Sequence, residues 1–204
     1  MSGTNTIAAD CTLIHTRQIT CDVYQRSDGA YEVESSMFDR KTAQTTLPFR
    51  TVAPNEKFHD MRLALTVSSD LVIERIEART EAGPTPFCKE INAAYAELRG
   101  VRIGPGFKAR VKEVVGGVGG CTHLTDLLGP IATTLIQASL ARMQTAQRLH
   151  EIARLEVMPR PWVIDTCHAY RADGEAARLV WPIAKRAVTE ESGRQPGGDT
   201  NASA

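Results

Sequence analysis

No run of apolar residues in this 204-residue chain approaches the roughly 20 needed to cross a bilayer, so no membrane-spanning helix is expected. Net charge is missing too, with 24 Lys+Arg against 24 Asp+Glu. That balance removes the basic footprint of a dedicated nucleic-acid binder, and no nucleic-acid partner is expected. The segment Met1–Asp10 lacks the basic-then-apolar order of a secretory signal. The five cysteines, odd in number and irregularly spaced, do not form a disulfide framework. They read as reduced thiols of a cytoplasmic protein. Paired Cys-x-x-Cys and His-Glu-x-x-His spacings are also absent, so any metal centre must be assembled by the fold.

What is present is ordinary for a globular chain: 42% apolar and 24% charged residues. Residues 1–11 read as a flexible N-terminus, 12–185 as one α+β domain, and 186–204, rich in Ser, Gly, Gln and Asn, as a disordered tail. From Leu13 to Phe38, β-branched and aromatic residues flank Ser27-Asp28-Gly29, which predicts a first hairpin. Arg40 to Lys57, with Pro48 and Pro54, reads as a surface loop. Leu63, Leu65 and Val67 alternate with Arg62, Ala64 and Thr66 before Ser68-Ser69-Asp70, and Leu71–Thr80 returns as the second hairpin. Helical spacing follows over Ile91–Leu98 and Phe107–Val115, then in a long helix from near Cys121 to about Leu155, broken or kinked at Gly129-Pro130. Trp162–Ile164 and Glu175–Trp181 read as short strands. Strands first and helices afterwards imply an antiparallel sheet of two hairpins with helices packed on one face.

The chemistry concentrates in Gly116-Gly117-Val118-Gly119-Gly120-Cys121-Thr122-His123. Four glycines in five positions precede a helix and place Cys121 at or near its N-cap, where orphan N–H groups and the macrodipole favour a thiolate. His123 is two residues on, and Asp126 lies in the first turn. The plain alternative is a glycine hinge with a small buried cysteine. His59 opens the second hairpin within Phe58-His59-Asp60-Met61, and Cys88 follows the proline-rich turn that closes it. His59, Cys88, Cys121 and His123 together form a mixed N/S set that zinc, or another divalent metal, accepts. Asp60 or Asp126 would orient a ligand or act as a base beside Cys121 and His123. His15, Arg17 and Cys21 share one strand face, where Arg17 is read as a salt-bridge residue. Cys167-His168 is a further candidate pair, while Cys11 and His150 are background.

The residues Ile14-His15-Thr16-Arg17, His59-Asp60-Met61, Gly120-Cys121-Thr122-His123-Leu124 and Cys167-His168-Ala169 resemble a bacterial family known only as a domain of unknown function, over about residues 12 to 183. In their order, His59 to Val67, Cys88 and Cys121-Thr122-His123-Leu124 are also similar to iron–sulfur scaffold proteins of the NifU/IscU type. That likeness implies a NifU/IscU-like core, with His59 in the place of the family's Asp and with Cys88 and Cys121 on two of its cysteines. The family's remaining cysteine position holds Lys57 here, which moves the site from cluster assembly toward a borderline metal such as zinc.

Three functional readings follow. The first is a metal-dependent hydrolase or lyase of a small molecule. The second is a thiol or persulfide carrier, with Cys121 as nucleophile and His123 as its base. The third is a non-catalytic scaffold or partner-binding module, whose long apolar helix would serve a partner or a homodimer.

Overall fold

A computed structural model describes residues 10–143, 151–152 and 154–187. The expectations for residues 1–9 and 188–204, and for His150, fall outside those residues. The chain divides into two compact units, Met1–Arg142 and Met143–Ala204.

The first unit is α+β. Its sheet is built from strands β1 (His15–Gln25), β2 (Tyr31–Lys41), β5 (Lys57–Val67) and β6 (Ile73–Ala82), antiparallel in the order β1-β2-β5-β6. Both expected hairpins are present. Gly29, at a φ of 88°, supplies the left-handed residue of the first turn, and Asp28 Oδ1 accepts the Ala30 N–H at 3.1 Å. The second turn puts Leu71 at a φ of 62°, held by its N–H to the Ser68 carbonyl at 2.9 Å. The expected surface loop contains a small ladder of its own, β3 (Thr45–Thr46) with β4 (Thr51–Val52). These two-residue strands are too short for any periodicity to announce.

Alternation decides which sheet face is covered. Tyr31, Val33, Ser35, Met37 and Asp39 on β2, and His59, Met61, Leu63, Leu65 and Val67 on β5, are all buried. The opposite face presents Thr20, Asp22, Glu34, Ser36, Arg62 and Arg79 around an open polar groove. Covering the apolar face are a 3-10 segment (Pro86–Leu98), helix α1 (Phe107–Val115) and helix α2 (Thr122–Met143). Leu124, Leu127, Leu128, Ile131 and Leu135 of α2 join Tyr95, Leu98, Phe107, Val111 and the sheet in one core. Helix α2 runs through Gly129-Pro130 without a break, and Thr133 Oγ1 donates to the Gly129 and Pro130 carbonyls at 3.2 and 3.0 Å. Of the expected break or kink at that dipeptide, the break is absent.

In the second unit the two expected strands are replaced by helical turns. Gly174 caps helix α3 (Glu175–Val180), and Trp162–Ile164 lies in a turn. Paired alanines, Ala176 and Ala177, favour helix over strand there, and Ala177 is buried. Trp181 Nε1 donates to the Met158 carbonyl at 3.1 Å, and the Arg186 guanidinium lies 4.4 Å from the Trp181 ring centre. No helix among the described residues is long and apolar enough to cross a membrane.

Candidate metal centre

One row of residues runs across the covered sheet face. Arg17 on β1 pairs with Asp39 on β2, and Asp39 pairs with His59 on β5. Directly opposed residues of antiparallel strands bring their side chains within contact range. Two irregularities frame this row. The register slips between Asp39 and Arg40, leaving Phe58 unopposed, and again between Asp60 and Met61 on the β6 side. Such bulges re-aim side chains at strand ends.

Arg17 holds Asp39 with two parallel bonds, Nε to Oδ1 at 2.8 Å and Nη2 to Oδ2 at 2.9 Å. His59 Nδ1 meets Asp39 Oδ2 at 2.8 Å, and His15 Nε2 lies 3.6 Å from Oδ1. Burial pushes the Asp39 carboxyl up, but the bonds from Arg17 and His59 outweigh it and bring its pKa down to about 2. Arg17, always charged, is the partner that keeps Asp39 ionised.

An ionised carboxylate only accepts hydrogen bonds, so Nδ1 is the protonated nitrogen of His59. Burial lowers the His59 pKa, the neighbouring His123 lowers it further, and both outweigh Asp39. His59 is therefore neutral at pH 7, and its lone pair sits on Nε2. That atom is buried and has no hydrogen-bond partner among the described residues, in a residue only 5% exposed. A buried acceptor without a partner costs about 1–3 kcal/mol, which a bound ligand would recover.

His123 approaches from α2. Its ring lies 3.8 Å from the His59 ring, centre to centre. Burial, followed by the positive Arg17, lowers its pKa as well. Three residues along the same helix face, Asp126 accepts from Arg17 Nη1 at 3.3 Å, so helix and strand row meet in one network.

Cys121 is the N-cap of α2, since its carbonyl accepts the first intrahelical bond, from the Thr125 N–H at 2.9 Å. Buried Tyr95 fixes it. Tyr95 Oη donates to the Cys121 carbonyl at 2.8 Å and accepts from the Cys121 N–H at 3.1 Å, with Thr125 Oγ1 at 2.8 Å. Cys121 Sγ is thereby set 4.0 Å from His123 Nδ1 and 4.0 Å from Met61 Sδ. Tyr95→Phe is expected to lower stability by about 1–2 kcal/mol, because it orphans the Cys121 N–H and Thr125. Urea unfolding of the variant measures this.

The glycine run ahead of Cys121 has a packing explanation. A Cβ on Gly116 would lie 2.1 Å from the Lys112 carbonyl oxygen, and one on Gly120 would lie 2.0 Å from that of Val115. Gly117 has a φ of 57°. The run folds the chain tightly back over the end of α1 and so aims α2 at the sheet.

Among the sequence candidates, the structure stacks His59 against His123 and sets the Cys121 thiol 4.0 Å from His123, with Asp126 one turn along the helix. Cys88 is not in the donor group found among the described residues; its Sγ lies 3.3 Å from Thr85 Oγ1, and a Cβ on Gly83 would be 3.0 Å from it. Asp60 is ion-paired with Lys57. Cys167 is exposed in the second unit, where His168 Nε2 lies 3.5 Å from Arg171 Nη1. All five cysteines are free thiols. Sequence reasoning missed Asp39 and Tyr95. Asp39 had a signal, because it continues the alternation Tyr31, Val33, Ser35, Met37 as a carboxylate on an otherwise apolar face.

Ligand atoms of Asp39, His59 and His123 lie within 4.8 Å of one another. Both Asp39 oxygens, however, are already engaged by Arg17, and one also by His59. This places Asp39 behind the imidazole as its orienting carboxylate, the usual partner of a metal-ligating histidine. Cys121 lies outside that group and stands beside it, its Sγ 4.0 Å from His123 Nδ1. A tetrahedral zinc with about 2.3 Å to sulfur and about 2.0–2.1 Å to nitrogen holds those two atoms about 3.6 Å apart. The observed 4.0 Å between Cys121 Sγ and His123 Nδ1 needs only a small adjustment.

The family described as a protein of unknown function, DUF2889, matches residues 15–137, and the chain belongs to it. The matched region runs from β1 into α2 and contains Arg17, Asp39, His59, Met61, Tyr95, Cys121 and His123. No curated protein and no solved structure matches the chain. The likeness to NifU/IscU-type scaffolds therefore rests on residue order alone.

Proposed function

We propose that the chain is a metal-dependent enzyme acting on a small molecule, a hydrolase or lyase, with a divalent ion, zinc by preference, on His59 Nε2, His123 and the Cys121 thiolate. The observation that carries this reading is the unpartnered, buried Nε2 of a histidine whose other nitrogen is fixed by an ionised carboxylate. Three protein ligands leave one position for water or a substrate oxygen, and zinc brings bound water to a pKa of about 7. Asp126, exposed and on the helix turn after His123, is the carboxylate available as a base. Free thiols throughout the chain suit a reducing, cytoplasmic setting.

The second reading, a metal-free thiol nucleophile, draws on the approach of Cys121 Sγ to His123 Nδ1. Elemental analysis after zinc loading and removal of excess metal separates the two. About one zinc per chain is expected, lost in both Cys121→Ala and His123→Ala. A zinc-free protein whose Cys121 alkylates faster than an ordinary thiol would overturn the metal reading in favour of the nucleophile. Zinc retained equally by both variants would place the metal elsewhere.

A further inference from the structure

The two positions beside the Asp39–His59 row on the covered sheet face are Met37 and Met61, directly opposed on β2 and β5 and both fully buried. Further along β5 the same face carries Leu63, Leu65 and Val67. Met61 is not merely near the proposed centre. Its Sδ lies 4.0 Å from Cys121 Sγ, the same distance that separates that thiol from His123 Nδ1. The Cys121 thiol therefore has an imidazole nitrogen and a thioether sulfur at equal distance.

Ligand softness discriminates among metals. Zinc is content with imidazole and thiolate and gains little from a thioether, whereas a thioether beside a thiolate selects copper, and Cu(I) above all. A set of two His, one Cys and a more distant Met is also a donor combination that copper uses in both oxidation states. Buried, apolar walls around the sulfurs favour the less hydrated, singly charged ion.

We propose that Met61 is a fourth donor and that this centre also binds Cu(I), through a sulfur that zinc does not use. The inference rests on the reading of His59, His123 and Cys121 as metal ligands and adds Met61 and a second ion. Zinc, ignoring the thioether, leaves an open position. Cu(I), engaging it, closes the coordination sphere, so copper occupies the same centre and excludes water from it.

The test is an anaerobic competition on the full chain, with a chromophoric Cu(I) chelator in one series and a zinc chelator in the other. Wild type is compared with Met61→Leu, a swap of similar volume that the core tolerates. Met61→Leu is expected to weaken Cu(I) binding by about 10–100-fold, the scale for a lost tuning contact at a metal site, and to leave zinc affinity within about threefold. Far-UV circular dichroism and urea unfolding confirm that the variant is folded. Equal Cu(I) affinity in the two proteins would overturn the role of Met61, as would equal losses for both metals. Stoichiometric zinc binding without Cu(I) binding would overturn the copper site and keep the zinc reading. Failure of both metals to bind would remove the underlying reading as well.

Discussion

Arg17→Met is expected to lower the unfolding free energy by about 2–3 kcal/mol at pH 7. The Asp39 carboxyl moves from 3.8 to about 2 on folding, and each tenfold change in proton affinity is worth about 1.4 kcal/mol. Breaking a fully buried ion pair costs about 3–5 kcal/mol. The value here is lower because the Arg17 side chain is itself 36% exposed and partly screened. Methionine keeps the apolar stem and removes only the fork. The pH dependence carries a definite sign. Asp39 is depressed in the folded state, so its contribution is fully present above the unfolded value and disappears as pH falls from about 4 through about 2. The gap between wild type and Arg17→Met should therefore narrow over that range. Urea unfolding at pH 7 and pH 3 measures both figures. A difference below about 0.5 kcal/mol at pH 7 would mean that Asp39 does not depend on Arg17.

Asp39→Asn is expected to weaken zinc binding by about 10–100-fold, although Asp39 is not itself a ligand in this account. The carboxylate does two things for His59: it fixes the proton on Nδ1, leaving the lone pair on Nε2, and its charge raises the basicity of the ring. An amide retains an oxygen acceptor but supplies no charge, and its NH2 edge confronts the Arg17 fork. The loss should appear as weaker zinc competition with little change in stoichiometry. Loss of the ion altogether would make Asp39 a ligand rather than an orienting group. Unchanged affinity would separate the Arg17–Asp39–His59 row from the centre.

Much of the first unit was legible because two-residue periodicity and turn chemistry are local. Ser27-Asp28-Gly29 and Ser68-Ser69-Asp70 mark both hairpins, and the apolar alternation of Leu63, Leu65 and Val67 names the covered face. Helical spacing gave α1 and the start of α2. The short segments of the second unit were misread as strands, since runs such as Trp162-Val163-Ile164 suit either period, and there the alanines at 176 and 177 were the better guide.

The candidate site was legible in its ingredients but not in its partnerships. His59, Cys121 and His123 stand out as residue types, yet Asp39 is 20 residues from His59 and 22 from Arg17. A period-two pattern says that position 39 is covered, not that a cation and an imidazole wait on the strands either side. The glycine run does place Cys121 at the N-cap, but its packing against the carbonyls of α1 at Gly116 and Gly120 depends on the fold. For Cys88, a place after the second hairpin does not reveal the contact of its thiol with Thr85 across the turn at Gly83.

X-ray absorption at the zinc edge of the zinc-loaded chain reports the donor atoms themselves rather than the affinity. The expected first shell has imidazole nitrogen from two histidines and one sulfur at about 2.3 Å, the sulfur component vanishing in Cys121→Ser. A shell of oxygen and nitrogen alone, or a sulfur component that survives Cys121→Ser, would contradict it.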